Sequence, residues 1–192
     1  ETDFNKIEWM WEMLEKMKLI RETELEISRR YSEGKMRCPI HLSVGQEAVS
    51  AAISQCCTAE DYAVSTHRGH AHYLGKGGCI NKLIAEIYGK QTGCSNGRGG
   101  SMHLVDLDVN FMGTSAIVGN SIPIGVGLGL SAKLDKKGQI SFIFLGDGAI
   151  EEGAFYESAN FACVRELPTI FICENNRYSV YTGLKERQPV DR

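Results

Sequence analysis

Gly146-Asp147-Gly148 closes one apolar run of the chain, and Asn175-Asn176 closes another further on. Asp147 offers one hard anionic oxygen and Asn176 one neutral carbonyl oxygen. Such a pair suits Mg²⁺, which is held by few protein oxygens together with phosphate oxygens and water. Gly146 and Gly148 let the backbone come close to a bulky ligand, and a helix opening just after them presents free amides to a diphosphate. Glu151 and Glu152 add negative charge at that end, and are read as capping the helix or turning away. A second source of positive charge is Arg68, within Ser65-Thr66-His67-Arg68-Gly69-His70. Four of the five histidines gather here and upstream: His41, His67, His70 and His72. Their spacing, on a predicted loop with no fourth ligand type beside them, suits zinc poorly.

The elements that must position these residues follow from periodicity. Ile140 to Leu145 and Thr169 to Cys173 are apolar runs of the kind that form buried parallel strands. Between them, Glu151 to Arg165 predicts a helix with Phe155, Ala159, Ala162 and Cys163 on one side, ended by Pro168. Strand, helix and strand with short joints make a crossover in a parallel sheet. The helix carries the chain back about 22 Å at 1.5 Å per residue, and the second strand brings it forward by a similar distance. Hence Gly146 to Gly148 and Asn175-Asn176 should share the carboxyl edge, where open α/β sheets bind ligands. Upstream, Ile7, Met10, Trp11, Leu14 and Met17 mark a helical segment over about 1–34, its stripe read as core or subunit contact. Leu42 to Cys57 and Asn81 to Tyr88 read as further helices, and Gly93 to Gly100 as a glycine-rich loop carrying Arg98. Ile122 to Leu134 predicts a helix packed too closely for side chains at Gly125, Gly127 and Gly129, whose spacing does not match a dinucleotide fingerprint.

Composition narrows the class. A net charge of −3 over 192 residues gives no electrostatic case for nucleic acid or an anionic membrane. No apolar run approaches the roughly 18 residues of a membrane span, and the first residues lack a signal peptide's apolar region. A cytoplasmic location is expected, with a mitochondrial matrix left open. Seven cysteines without a C-x-x-C pair argue against a zinc site or a disulfide framework; reduced, structural thiols in apolar company are expected. Without repeats or linkers, residues 1–192 read as a single α/β domain, a mostly parallel sheet flanked by helices.

Several motifs, taken in order, resemble a known family. They are His41-Leu42-Ser43-Val44-Gly45-Gln46-Glu47-Ala48, Ser65-Thr66-His67-Arg68-Gly69-His70, Gly97-Arg98-Gly99-Gly100-Ser101-Met102-His103, Ile117-Val118-Gly119, and Gly146-Asp147-Gly148 with Asn175-Asn176. Together they resemble the alpha subunits of thiamine-diphosphate-dependent 2-oxo acid dehydrogenases, of the pyruvate, branched-chain and acetoin types. The resemblance implies the pyrophosphate-domain fold of thiamine enzymes, with thiamine diphosphate and Mg²⁺ as cofactors. By position, Asp147 and Asn176 would bind Mg²⁺ through side-chain oxygens and Tyr178 through its carbonyl. Arg68, helped by His67, would hold the diphosphate, and Gly146, Gly148 and Ala149 would lie against it. The backbone at Ala116 and Val118 would meet the aminopyrimidine. His41 would face the reacting centre as proton donor or substrate orienter, with His70 a second catalytic candidate.

The same resemblance implies an oxidoreductase that decarboxylates a pyruvate-like 2-oxo acid or cleaves acetoin. It would pass the product to the lipoyl group of a dihydrolipoyl acyltransferase, as a heterotetramer of two alpha and two beta subunits. The acid that activates the cofactor would come from the beta subunit, so this chain alone should not turn over substrate. His67 stands where pyruvate dehydrogenases commonly have Tyr, a wording closer to the acetoin type. The run Gly148 to Gly153 departs from the Asn-bearing form of the best-known members, which bears on substrate rather than cofactor. The family's alpha chain also continues well past the second strand, with a histidine-bearing loop. The alternatives are a non-oxidative decarboxylase or ketol transferase, and a truncated cofactor-binding subunit without catalysis.

Overall fold

The computed structural model describes residues 4–189. Its centre is a four-stranded sheet in the order β2-β1-β3-β4, parallel throughout: β1 Tyr62–Thr66, β2 Phe111–Ser115, β3 Ser141–Gly146 and β4 Thr169–Glu174. β3 is buried along Ser141 to Leu145 because it has a strand on either side and helices on both faces. Alternation along it divides the interior in two. Phe142 and Phe144 join Ala63 and Phe111 in a core with Ile20, Ile27, Tyr73 and Leu83 from the N-terminal helices. Ile143 and Leu145 join Val64 in a second core with Ile122, Val126 and Ala162.

The first core is built by α1 (Phe4–Tyr31), α2 (Glu47–Ile53), α3 (His70–Gly75) and α4 (Ile80–Ile87). The second is built by α5 (Ser121–Asp135) and α6 (Gly153–Val164). The parallel sheet between helices agrees with the expected α/β class. On α5, a Cβ at Gly125 would sit 2.5 Å from Ile143 Cγ1 and 2.7 Å from Val64 Cγ2, so glycine there lets helix and sheet approach. Gly127 faces outward, with nothing within 4 Å of such an atom.

Several elements differ from expectation. The apolar stripe of α1 does not enter the core at its start. Ile7, Met10, Trp11 and Leu14 are exposed, and burial begins at Ile20, where α1 reaches α2 and α3. The helix predicted over 42–57 shrinks to α2, because 43–46 form a turn with Gly45 at φ +89° and Ser43 N held by Glu24 Oε1 at 3.3 Å. α6 begins at Gly153 rather than Glu151, since a 3-10 turn, Asp147–Glu151, comes first. His70 and His72 lie in α3, not on a loop. β2 had no counterpart in the sequence reading. The thiols are all free, but Cys56, Cys79, Cys163 and Cys173 are exposed rather than in apolar company. Burial raises the Cys94 thiol and lifts Cys57 to about 11, which leaves Cys57 protonated and unreactive.

No described helix is long and apolar enough to cross a membrane.

Candidate functional site

Four parallel strands deliver their following loops to one edge. The register pairs Gly146 with Glu174, so Asp147 and Asn176 leave adjacent strands side by side. The chain after β1 adds His67 and Arg68, the chain after β2 adds Val118, and His41 arrives from the segment before α2. These loops surround a cavity of about 380 Å³. Of the residues proposed from sequence, His41, His67, Arg68, Val118, Gly146, Asp147, Gly148, Ala149, Asn176 and Tyr178 line it. Ala116 is exposed beside this lining without belonging to it, and His70 lies outside it.

The lining includes two imidazoles and a guanidinium. His41 and His67 meet edge to face, their ring centroids 4.7 Å apart. Burial, reinforced by Arg68 and by each imidazole's histidine neighbour, lowers both below the ordinary histidine value. Both therefore stay neutral near pH 7, suited to hydrogen bonding rather than to carrying charge. His41 Nδ1 is buried without a hydrogen-bond partner among the described residues. Arg68 is fixed by donation from Nη1 to the Leu42 carbonyl, and its backbone N–H donates to Thr66 Oγ1 at 3.2 Å.

The same cavity carries a hard-oxygen set. The Asp147 carboxylate is 7% exposed, and Asn176 Oδ1 accepts from Tyr178 N–H at 2.9 Å, which folds the chain after β4 into a tight turn. One buried carboxylate, an amide oxygen with a free lone pair and the adjacent Tyr178 backbone are donors that fit a small divalent cation and do not fit zinc. Among the described residues no group of three His, Cys, Asp or Glu side chains could hold a metal. The carboxylate's negative charge is met here by Arg187, whose Nη2 lies 2.5 Å from Asp147 Oδ2.

Two buried histidines brace the site from behind. His70 bonds Glu24 Oε2 through Nδ1 (3.2 Å) and Ser101 Oγ through Nε2 (2.7 Å), and all three are fully buried. This chain ties α1 to the start of α3, two residues beyond Arg68, and explains why His70 does not reach the cavity. His72 bonds Ser65 Oγ through Nδ1 (2.6 Å), stacks on Phe144 at 4.0 Å, and has Glu174 Oε1 3.2 Å from Nε2. Glu174 itself lines the cavity. The glycine-rich loop is organised by Glu86, whose buried carboxylate accepts from Ser95, Gly97, Gly99 and Gly100 N–H at 2.7 to 3.2 Å. That loop sits on a separate cavity, not on the candidate site.

Sequence reasoning missed Glu24, Glu86, Glu174 and Arg187. Glu174 was adjacent to the Asn pair and could have been included. The other three act through contacts remote in sequence, for which no local pattern exists. Glu47, beside the quoted His41 motif, is held down to about 2, chiefly by its hydrogen bond to Arg21. It is an ion-paired anchor, with Arg21 Nε 2.5 Å away, and no source of protons near neutral pH.

Residues 15–191 match the family model described as dehydrogenase E1 component. The pyruvate dehydrogenase E1 component subunit alpha of Rickettsia bellii is 42% identical over 168 residues, covering 88% of this chain and 52% of the relative. The alpha subunit of acetoin:2,6-dichlorophenolindophenol oxidoreductase from Bacillus subtilis is 39% identical over 182 residues, covering 95% and 54%. The mitochondrial pyruvate dehydrogenase E1 component subunit alpha-1 of Arabidopsis thaliana is 36% identical over 167 residues, covering 87% and 43%. The chain thus spans about half the length of the curated bacterial relatives it matches.

Proposed function

The chain belongs to the dehydrogenase E1 component family, and from that footing we propose that it binds thiamine diphosphate and Mg²⁺ as part of an alpha subunit. The enzyme would act on a pyruvate-like 2-oxo acid or on acetoin, together with a beta subunit and a lipoyl acceptor. The observation that carries this reading is the convergence of His41, His67, Arg68, Val118, Asp147 and Asn176 on one cavity at the carboxyl edge of a parallel sheet. They come from five separate stretches of chain, and bring one permanent cation, Arg68, and two neutral imidazoles together with the hard oxygens of Asp147 and Asn176.

Each residue has a task set by its chemistry. Asp147, Asn176 and the Tyr178 carbonyl would hold Mg²⁺, which would supply positive charge for the diphosphate. Arg68 donates to the diphosphate as a fixed, permanent cation, and His67 donates as a neutral imidazole. Backbone at Gly148 and Ala149 lies against the same group, and backbone at Ala116 and Val118 meets the aminopyrimidine ring. His41, on the cavity wall, orients the substrate carbonyl. His70 acts as a positioning residue, through Ser101 and Glu24, and not by contact with substrate. Bound there, thiamine diphosphate supplies the nucleophilic carbon and the electron sink for the reaction. The family resemblance assigns the activating carboxylic acid to the beta subunit, in keeping with Glu47 being locked by Arg21 and Glu151 holding Arg187.

Calorimetric titration with thiamine diphosphate and Mg²⁺ tests the reading. Asp147→Ala should abolish most of the Mg²⁺-dependent affinity while leaving circular dichroism unchanged. Undiminished Mg²⁺-dependent binding in that variant would sink the assignment.

A further inference from the structure

We propose that Arg187 competes with the metal for Asp147, and that cation binding unlatches the flap formed by residues 179–188, beyond the Tyr178 carbonyl. The proposal rests on Asp147 being the metal's carboxylate ligand. Arg187 Nη2 lies 2.5 Å from Asp147 Oδ2, and its Nη1 lies 2.8 Å from Glu151 Oε1. Gln188 Nε2 donates to the same Glu151 oxygen at 2.9 Å. The Arg187 side chain is 8% exposed, and its Nε is buried without a hydrogen-bond partner among the described residues.

The latch closes a segment that little else secures. After Asn176 the chain forms a hairpin of two-residue strands, β5 Tyr178–Ser179 and β6 Thr182–Gly183, then the four-residue helix α7, Leu184–Arg187. Apart from the Arg187 side chain nothing of α7 is buried, and the hairpin tip, Val180 and Tyr181, is almost wholly exposed while still bordering the cavity. Few buried apolar contacts and much exposed backbone are the marks of a segment that opens locally. Its firmest tether is therefore the guanidinium on Asp147 and Glu151.

Two cations cannot share that carboxylate on equal terms. Mg²⁺ needs an Asp oxygen at about 2.0–2.1 Å in near-octahedral order, and a guanidinium, which does not deprotonate in proteins, repels a divalent ion at such range. Metal entry thus displaces Arg187. Glu151 gives the freed guanidinium an anion beside the site, which keeps the latch ready to reclose. By linkage, the latch weakens metal binding by the factor by which metal weakens the latch.

The experiment is titration of the whole chain with Mn²⁺, followed by electron paramagnetic resonance, in the wild type, Arg187→Gln and Arg187→Lys. Amide hydrogen exchange across 179–188 is measured alongside. Arg187→Gln should bind Mn²⁺ roughly tenfold more tightly or better, the scale of losing one charge-assisted competitor, with Arg187→Lys between. Saturating Mn²⁺ should speed exchange at 179–188 in the wild type and leave the already fast exchange of Arg187→Gln unchanged. Equal or weaker Mn²⁺ binding by Arg187→Gln would refute the competition while leaving the metal assignment intact. Binding by neither protein, even with thiamine diphosphate added, would remove the metal assignment itself. Should Arg187→Gln misfold, the wild-type exchange decides: slowed or unaltered exchange at saturating Mn²⁺ overturns the latch.

Discussion

Exchanging one hydrogen for a methyl group at two neighbouring glycines of α5 separates packing from propensity. Gly125 and Gly127 both lie in the interior of the same helix, where Gly→Ala gains about 0.8–1.0 kcal/mol of helix propensity. At Gly127 nothing lies within 4 Å of the added carbon, so Gly127→Ala should be stabilising by about that amount. At Gly125 the same carbon would meet Ile143 Cγ1 at 2.5 Å, Val64 Cγ2 at 2.7 Å and Ile143 Cδ1 at 2.8 Å. Those atoms belong to branched side chains on the two central strands, with no room to retreat, and overpacking of this kind costs about 1–3 kcal/mol. The difference between the variants cancels propensity and leaves the clash, so Gly125→Ala should fall about 1–3 kcal/mol below Gly127→Ala. Urea unfolding of the isolated chain measures it. In thermal unfolding it amounts to roughly 2–4 °C per kcal/mol for a domain of this size. If both variants are stabilised equally, α5 does not press on β1 and β3 as described.

Arg68→Ala should weaken thiamine diphosphate about 10- to 100-fold, the equivalent of a charge-assisted hydrogen bond, and leave thiamine itself nearly unaffected. Because Arg68 also holds the Leu42 carbonyl, equal losses for both ligands in calorimetry would mean that it acts through the fold. The Arg21–Glu47 pair makes stability pH-dependent. Glu47 titrates at about 2 in the fold against 4.5 unfolded, so its contribution is present above about pH 4.5 and fades as pH falls towards 2. Arg21→Gln should lower the urea midpoint at pH 7 and approach the wild type at pH 3; a constant gap at both would mean that charge plays no part.

Local pattern alone determined a good deal of this protein. The apolar runs at 140–145 and 169–173 became β3 and β4, because a short continuous apolar run of strand length biases a segment's structure before any partner is present. The crossover between them put Asp147 and Asn176 on one edge, since helix rise and strand rise are fixed numbers. Ten residues carried over from matched motifs line a single cavity for the same reason: loops after parallel strands have only one edge to occupy. What pattern could not supply was partnership. Nothing local to Glu86 says that its carboxylate will gather four backbone amides from 95–100, or that His70 will face Glu24 and Ser101 rather than the cavity. β2 gives a weak signal by itself and is a strand because β1 lies beside it. The exposed start of α1 shows the same dependence, for a periodic apolar stripe specifies a face without specifying what covers it. Most plainly, Asp147 and Arg187 are 40 positions apart. Opposite charges at that separation meet only where the chain's return path brings them together, and only the tertiary fold sets that path.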